Sequence, residues 1–414
     1  MADPREGAGV FTSLSPLPTE GGTLFRVVSN AEALHLLLYG KEREKPTVIA
    51  LDETHRRDDV WEILVPGVGS GQRYNWAVDP ARPLVDPYAL EVDGPDTFGA
   101  DTKGPRPVWP DLNVAHRFAG VVRAPLPRVE WRRPARSWDE TVLYELHVRG
   151  FTRHASSRVK EPGGFRGLIE KVGYLQRLGV TAVELLPVQE FDDQEVHRGR
   201  GLVNYWGYSP LNWFAPNARY GSIEDFRGLV RAFHDAGIEV IVDVVFNHTA
   251  EMDPTGPVWN FRDLDNDRYY LEEDVTGCGN TVKAQHPTVR KLILEALRWW
   301  RHGLGVDGFR FDLAAVLARG ETGEVLDAPA LLREIETDPW LSGARLIAEA
   351  WDAGGAYLVT DWPGNERWAV WNDRFRDDVR RAWLNGGDNG IGHRLAGSPD
   401  LFPDPRRSIN FITA

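Results

Sequence analysis

The chain has 414 residues, of which 42% are hydrophobic and 26% are charged, and its formal net charge is −13. This length exceeds one ordinary domain, so we expect two or three domains, or one large barrel with an additional module. The acidic charge disfavours nucleic acids, phosphate-rich membranes and other polyanions as partners, whereas a neutral substrate is compatible with it. The single cysteine, Cys278, excludes an internal disulfide framework.

The apolar runs and the amino-terminal segment indicate a soluble protein. The first ten residues, MADPREGAGV, contain no apolar signal core, and no apolar run reaches the roughly 18 residues that span a bilayer. We therefore predict a cytoplasmic protein with no membrane partner. The 16 tryptophans are numerous for this length. An indole packs well on the flat face of a sugar ring, and it also packs well inside the core of a large domain.

Short apolar runs separated by turn residues predict β-structure in the N-terminal part of the chain. The runs are TLFRVVS, ALHLLLYG, VWEILVPGV and QRYNWAVDP. Several short strands with turns between them are typical of a β-sandwich. A later Pro- and Arg-rich stretch, RAPLPRVEWRRPARSWDE, predicts a linker or a strap across the surface. The boundary is expected near residues 126–138, which gives a sandwich with its linker over 1–130 and a second domain over 131–414.

Apolar strands alternate with amphipathic helices from Thr141 onward. The predicted strands are YELHVRGF, AVELLPV, VIVDVVF, GFRFDLA, LIAEAW, WAVWND and INFITA. The predicted helices are FRGLIEKVGYLQRLGV, IEDFRGLVRAFHDAG, HPTVRKLILEALRWWRHGLG and PALLREIET. This alternation is typical of parallel βαβ units. A closed (β/α)8 TIM-type barrel needs eight strands, so we predict a multidomain protein whose α/β barrel is incomplete at the C-terminus.

Acidic residues stand at the ends of two predicted barrel strands, where the chemistry of such barrels takes place. Asp312 ends GFRFDLA and Glu349 ends LIAEA. Two carboxyl groups facing one cleft suit glycoside hydrolysis, in which one is ionised and the other holds a proton. Arg310 precedes Asp312 by two residues, so both side chains lie on one face of the strand and the arginine would keep Asp312 ionised. The alternative is a buried Arg–Asp pair that braces the barrel interior.

Glu349 lies among apolar residues and beside Trp351. Such surroundings raise the pKa of a carboxyl group and favour a role as general acid. The alternative is a structural glutamate at a strand end, paired with an arginine elsewhere in the chain.

Four further residues near the strand ends are candidates with weaker support. His248 could donate a hydrogen bond to a sugar hydroxyl, or it could be a satisfied structural group. Tyr208 and Trp206 could stack on a sugar ring, although aromatic residues in loops often cap a core. Asp243 lies inside its strand, and we favour a structural or supporting role for this residue.

Three segments resemble characteristic regions of the α-amylase superfamily of (β/α)8 glycoside hydrolases and transglycosylases. They are DVVFNH, GFRFDLA and IAEAW, in the order and spacing of that family. VNYWGYSPLNWFAP and TGCGNT, followed by HPTVRKLILEALRWW, resemble glycogen debranching enzymes and isoamylases. The N-terminal portion is similar to the β-sandwich carbohydrate-binding module that precedes the barrel in debranching and branching enzymes.

The resemblance implies a retaining mechanism in which Asp312 is the nucleophile and Glu349 is the acid and base. It also implies that Arg310 orients Asp312 and that Tyr208 stacks beneath the sugar in the cleaved subsite.

The same resemblance implies that His248, and Trp206 in a position often held by His, bind the hydroxyls of that sugar. Asn247 matches a position that binds calcium in many amylases, but debranching enzymes often lack that site, so no metal or cofactor is predicted.

The family's fourth region, a His-Asp pair that follows a stretch like INFITA on the seventh strand, is absent, because the sequence ends at Ala414, the last residue of INFITA. We therefore expect this sequence to be a fragment that is inactive and aggregation-prone alone. The function predicted for the working protein is hydrolysis of α-1,6 branches in branched α-glucans, namely glycogen or its limit dextrin. The alternatives are a trehalose-releasing hydrolase, a branching enzyme and a catalytically inactive glucan-binding protein.

Overall fold

The N-terminal part of the chain forms two antiparallel β-sheets. The computed structural model describes residues 12–40, 45–99, 118–193, 202–254, 256–386 and 390–412. The strands of the two sheets are β1 (Leu17–Thr19), β2 (Gly22–Val28), β3 (Leu34–Tyr39), β4 (Thr47–Leu51), β5 (Arg56–Arg57), β6 (Val60–Val65), β7 (Arg73–Ala77), β8 (Val92–Asp93) and β9 (Ala119–Val121). One sheet has the order β1–β2–β6–β5 and the other has the order β4–β3–β7–β9–β8.

The two sheets share one apolar core. Phe25 of β2 lies with its ring centroid 5.0 Å from that of Tyr74 and 6.4 Å from that of Trp76, both on β7 in the other sheet. All three side chains are fully buried. Apolar side chains alternate with polar ones along such strands, so each sheet presents one apolar face to the other. The predicted sandwich is confirmed.

A seven-stranded parallel sheet forms the second part of the structure. Its strands are β10 (Leu143–Leu146), β11 (Ala182–Leu185), β14 (Glu239–Val244), β15 (Gly308–Phe311), β16 (Arg345–Ala348), β17 (Trp368–Asn372) and β18 (Ser408–Asn410), which pair in that order. Each corresponds to one of the predicted strands. Within the described residues β10 and β18 are the two edges, with an open groove between them that Leu143 and Ile409 help to line. The incomplete barrel is confirmed.

Helices connect most of these strands. They are α1 (Val148–Arg153), α2 (Phe165–Ile169), α3 (Val172–Leu178), α4 (Ile223–Asp235), α5 (Phe261–Tyr269), α6 (Pro287–Arg298), α7 (Ala330–Thr337), α8 (Asp373–Asn385) and α9 (Ile391–Leu395). The helix α4 shows how local sequence sets its ends. The Ser222 hydroxyl accepts a hydrogen bond from the backbone N–H of Asp225 at 3.1 Å, and Gly237 just beyond the last turn has a φ of 76°, as expected at a helix C-terminus.

Side-chain caps explain two places where the predicted strands were too long. YELHVRGF ends as a strand at Leu146, because the His147 side chain accepts a hydrogen bond from the Gly150 N–H at 3.0 Å and starts α1. WAVWND ends as a strand at Asn372, whose side-chain oxygen accepts from the Phe375 N–H at 2.9 Å and starts α8.

Two further features were not predicted. The long helix expected over FRGLIEKVGYLQRLGV is divided into α2 and α3. An antiparallel hairpin of β12 (Gln189–Phe191) and β13 (Pro210–Pro216) lies between β11 and α4. Every residue of β13 is buried, so β13 has no polar alternation, and a proline stands at each end of it, which argues against a strand at the level of sequence.

The predicted strap runs across the end of the barrel at which the parallel strands begin. Arg133 donates hydrogen bonds to the carbonyls of Gly305 and Val306 at 2.7 and 2.6 Å. The Trp131 indole N–H donates to His234 Nδ1 at 2.9 Å. Since carbonyls and buried side chains receive these donors, the strap is held to the barrel by directional bonds.

The segment between β14 and α6 joins the sandwich to the barrel. Leu264 of α5 is fully buried and belongs, with Val258, to the apolar core of the sandwich. The Ser29 hydroxyl donates to the Leu264 carbonyl at 2.7 Å, and Arg268 pairs with Asp59 at 2.6 Å. A barrel connection therefore completes the core of the N-terminal module.

We expect Leu264→Ala to lower the free energy of unfolding by about 2–5 kcal/mol, because it empties a buried site in that shared core. The measurement is urea denaturation followed by tryptophan fluorescence. Leu178→Ala is the matched control, since Leu178 is 54% exposed at the end of α3 and its loss should change stability by less than about 0.5 kcal/mol. Equal shifts in the two variants would contradict the role given to Leu264.

Candidate active site

The Arg310 guanidinium on β15 is the centre of a buried ionic cluster. Its Nη1 atom lies 2.9 Å from Asp312 Oδ1 and 3.0 Å from Asp243 Oδ1, and its Nη2 atom lies 2.9 Å from Glu349 Oε2. The guanidinium carbon stands 4.3 Å from the centroid of the Trp371 ring. Arg310 is therefore not only the partner of Asp312 in one structural ion pair. Both predicted catalytic carboxyl groups and a third carboxyl group contact its guanidinium.

Alternation along GFRFDLA produces this arrangement. Phe309 and Phe311 are fully buried on one side of β15, and Arg310 and Asp312 extend from the other side, where they form an ion pair. Successive side chains of a strand point to opposite faces, so the spacing of two residues brings the two charges together.

Asp312 is held by an amide as well as by the guanidinium. The Asn247 side-chain N–H₂ donates to Asp312 Oδ2 and to the Asp312 carbonyl, both at 2.8 Å. The carboxylate is 12% exposed. Charge-assisted hydrogen bonds of this kind fix the orientation of a carboxylate, so Asp312 is immobilised at the mouth of the barrel with an ionised partner.

Glu349 follows β16 and faces the same guanidinium. Its Oε2 atom accepts a hydrogen bond from the Leu313 backbone N–H at 2.9 Å. Burial raises the pKa of Glu349, the guanidinium of Arg310 opposes that rise, and the neighbouring Asp312 raises the pKa further. A buried carboxyl group beside a second one retains its proton to higher pH, which is the state that a general acid needs.

Asp243 and Tyr208 support the cluster from the neighbouring strand and loop. The Tyr208 hydroxyl donates to Asp243 Oδ2 at 2.6 Å. Complete burial raises the pKa of Asp243 to about 7, against the opposing charge of Arg310. Burial and the adjacent Asp243 raise the pKa of Tyr208 well above its usual value, so the phenol keeps its proton and its ring position is fixed beside the carboxyl groups.

The structure places His248 and Trp206 differently from each other. His248 is 2% exposed, its Nε2 atom lies 2.9 Å from the Tyr208 carbonyl oxygen, and its Nδ1 atom lies beside Asn247 Oδ1. Burial lowers the pKa of His248. Trp206 is 55% exposed, and its ring packs against His147 and Tyr205 at centroid distances of 6.2 and 5.0 Å. His248 thus lies within the cluster, whereas Trp206 packs on a neighbouring group of rings.

Two acidic residues below the cluster were missed by sequence reasoning. Glu184 on β11 is fully buried, and neither of its carboxyl oxygens has a hydrogen-bond partner among the described residues. Glu145 is its neighbour in register on β10. Burial raises the pKa of both groups, with the Glu184 pKa raised the more strongly. A glutamate inside the apolar runs LYEL and AVEL could have indicated an inward-facing acid.

We predict that Glu184→Gln stabilises the protein increasingly as pH rises. The unfolded carboxyl group releases its proton above about pH 4.3, whereas the folded group, whose pKa is raised, retains it. The wild-type protein therefore loses stability with rising pH up to the folded pKa, and the amide does not.

Urea midpoints measured between pH 4 and pH 8 would test this prediction. Glu272→Gln is the control, because Glu272 is exposed and should give a curve parallel to the wild type. Parallel curves for Glu184→Gln as well would show that the buried carboxyl group does not hold a proton.

No metal centre can be assigned within the part of the chain that the structure describes. Its His, Cys, Asp and Glu side chains nowhere gather in a group of three or more that could hold a metal ion. Asn247, at the position that resembles a calcium ligand, instead donates to Asp312. In the same ranges, no helix combines the length and the apolar character needed to cross a lipid bilayer.

Comparison with known proteins agrees with this fold. A family model for the alpha amylase catalytic domain matches residues 146–255, and a model for carbohydrate-binding module 48 (isoamylase N-terminal domain) matches residues 13–89. The two matches together describe an α-amylase-type catalytic domain preceded by a carbohydrate-binding module. The chain belongs to the α-amylase family.

Proteins similar to this chain include isoamylases, glycogen operon proteins and pullulanases. Isoamylase SU1, chloroplastic, from Zea mays is 37% identical over 98% of this chain and 59% of its own length. The glycogen operon protein GlgX homolog of Haemophilus influenzae is 39% identical over 98% of this chain and 66% of its own length. Pullulanase from Anoxybacillus sp. LM18-11 superposes with a TM-score of 0.75 at 25% identity, over 97% of this chain and 60% of its own. The chain thus spans about three fifths of the length of such relatives.

Proposed function

We propose that the polypeptide containing this chain hydrolyses α-1,6-glucosidic branch linkages in branched α-glucans such as glycogen and its limit dextrin. The observation that carries the proposal is the joint contact of Asp312 and Glu349 with one guanidinium, Arg310. Debranching is supported by the relatives named isoamylase and glycogen operon protein. A solved pullulanase of the same fold is complexed with maltotetraose.

In the proposed mechanism Asp312 attacks the anomeric carbon while Glu349 gives its proton to the departing bridging oxygen. The bond from the anomeric carbon to that oxygen breaks and a covalent glycosyl-aspartate forms. Glu349, now ionised, takes a proton from water while the water oxygen bonds to the anomeric carbon and the bond to Asp312 breaks, so the sugar is released with retained configuration. Arg310 and Asn247 hold Asp312 for the attack. Because its pKa is raised, the Glu349 carboxyl group holds the proton that it donates.

The remaining assignments stay predictions of the same proposal. Tyr208 would stack beneath the sugar in the cleaved subsite, and His248 and Trp206 would bind its hydroxyls. The division of the chain into a module over 1–130 and a catalytic domain over 131–414 is part of this proposal. So is a cytoplasmic location.

We expect Asp312→Asn and Glu349→Gln, made in the polypeptide as its source produces it, each to reduce debranching by at least 10²–10⁴-fold. Release of reducing ends from limit dextrin is the measurement. Glu349→Gln should retain more activity toward an α-maltosyl fluoride, because fluoride departs without needing a proton. Glu324→Gln is the control, since Glu324 is exposed and its Oε2 accepts a hydrogen bond from the nearby Thr322 hydroxyl. Full debranching activity in Asp312→Asn would refute the assigned roles.

The products distinguish the rival functions. A debranching enzyme should raise both the number of reducing ends and the iodine colour of glycogen. A branching enzyme would leave the number of reducing ends nearly unchanged, a trehalose-releasing hydrolase would release trehalose, and an inactive binding protein would bind glycogen without turnover.

A further inference from the structure

A short hairpin begins directly after Glu349. The Leu358 N–H donates to the Ala350 carbonyl at 2.7 Å and the Asp352 N–H donates to the Ala356 carbonyl at 3.1 Å. Between these two bonds Trp351 pairs with Tyr357 in antiparallel register. Directly opposed residues of such a pair have their side chains on the same face, so Trp351 and Tyr357 share one face of the hairpin that follows the proposed general acid.

The hairpin is fixed to the rest of the barrel by buried bonds. Asp352 is an ion-pair partner of Arg319 at 2.7 Å, and its side chain has no exposed surface. The Gly354 N–H donates to the Val275 carbonyl at 2.9 Å. A Cβ atom at position 354 would lie 2.7 Å from the Val275 Cβ, so glycine permits this close approach. The position of Tyr357 relative to the general acid is therefore defined by the fold.

Tyr357 presents a fixed aromatic ring to solvent. It is 42% exposed, yet its hydroxyl donates to Asp373 Oδ1 at 2.7 Å and accepts from Arg374 Nε at 3.3 Å. The Arg374 guanidinium carbon lies 5.8 Å from the ring centroid. Because both polar partners hold the hydroxyl, the ring is presented to solvent in one orientation.

A hollow of about 250 Å³ lies beside this ring, with room for one hexose. Its lining residues are Tyr357, Asp373, Arg374, Asp377, Asp378 and Arg381. Three carboxylates and two guanidinium groups leave little net charge, and both kinds of group form hydrogen bonds with hydroxyls. An aromatic face with charged hydrogen-bonding groups around it suits a neutral polyhydroxylated ligand.

The hollow opens at the same end of the barrel as the carboxyl cluster. Asp373 follows the last residue of β17, and the hairpin follows the last residues of β16. The carboxyl ends of parallel strands form one rim. The residue that protonates the departing oxygen adjoins this hairpin, so the sugar that departs lies on the hairpin's side of the cleaved bond.

We propose that Tyr357, Asp373 and Arg374 form a binding subsite for a glucose residue of the departing α-glucan chain. This inference rests on the proposed function and adds a determinant of specificity to it. In debranching, the departing group is the main chain that carried the branch. The subsite would therefore favour a branched α-glucan over a substrate whose leaving group is not a sugar.

The test compares a branched limit dextrin with α-maltotriosyl fluoride, whose leaving group is a fluoride ion. Tyr357→Ala should raise KM for the limit dextrin by about tenfold, which is the effect of losing one aromatic contact, and should leave KM for the fluoride unchanged. Tyr357→Phe should keep most of the affinity, because the ring remains. Tyr174→Ala is the matched control, since Tyr174 is a 48% exposed tyrosine on α3.

Binding provides a measurement that does not depend on turnover. Calorimetry with Asp312→Asn should show that adding Tyr357→Ala weakens limit-dextrin binding by about tenfold. Equal binding, or equal loss with both substrates, would overturn the subsite. Absence of branch hydrolysis by the wild-type polypeptide would instead refute the proposed function, and the binding comparison would still decide whether Tyr357 contacts the glucan.

Discussion

The structure of the site depends on one buried guanidinium. Arg310 is the cation beneath a group of inward-facing carboxyl residues, which are Glu145, Glu184, Asp243, Asp312 and Glu349. A single positive charge cannot balance so many negative ones in a largely buried site, and each uncompensated charge would cost several kcal/mol. Some of the carboxyl groups must therefore retain protons. The protonation state of each carboxyl group therefore determines which chemical role it can have.

The N-terminal module and the rim of the barrel contact one segment of the chain. The connection after β14 places Val258 and Leu264 in the core of the sandwich. Further along this connection, the carbonyl of Val275 accepts from the hairpin that follows Glu349, and the Asn280 side chain bonds the backbone of Thr249. One continuous segment thus links the core of the module with the rim of the barrel, so both depend on its position.

Much of the fold could be predicted because it follows local patterns. The parallel strands are short apolar runs between amphipathic helices, and each was found where its run lies. The predictions that were wrong concern boundaries, where the single side chains of His147 and Asn372 end a strand and cap the next helix. The hairpin of β12 and β13 was missed because full burial removed the alternation that identifies a strand.

The amino-acid sequence was enough to place Arg310 and Asp312 on one face of a strand, since strand alternation is a property of neighbouring residues. It also determined that Glu349 ends a strand. The folded structure was needed to show that Glu349 and Asp243 reach the same guanidinium and that Tyr357 pairs with Trp351, two residues beyond Glu349. It was also needed to show that Glu184 is buried with no hydrogen-bond partner among the described residues. Protonation and proximity depend on burial and on charges from segments far apart in the chain, which no local pattern contains.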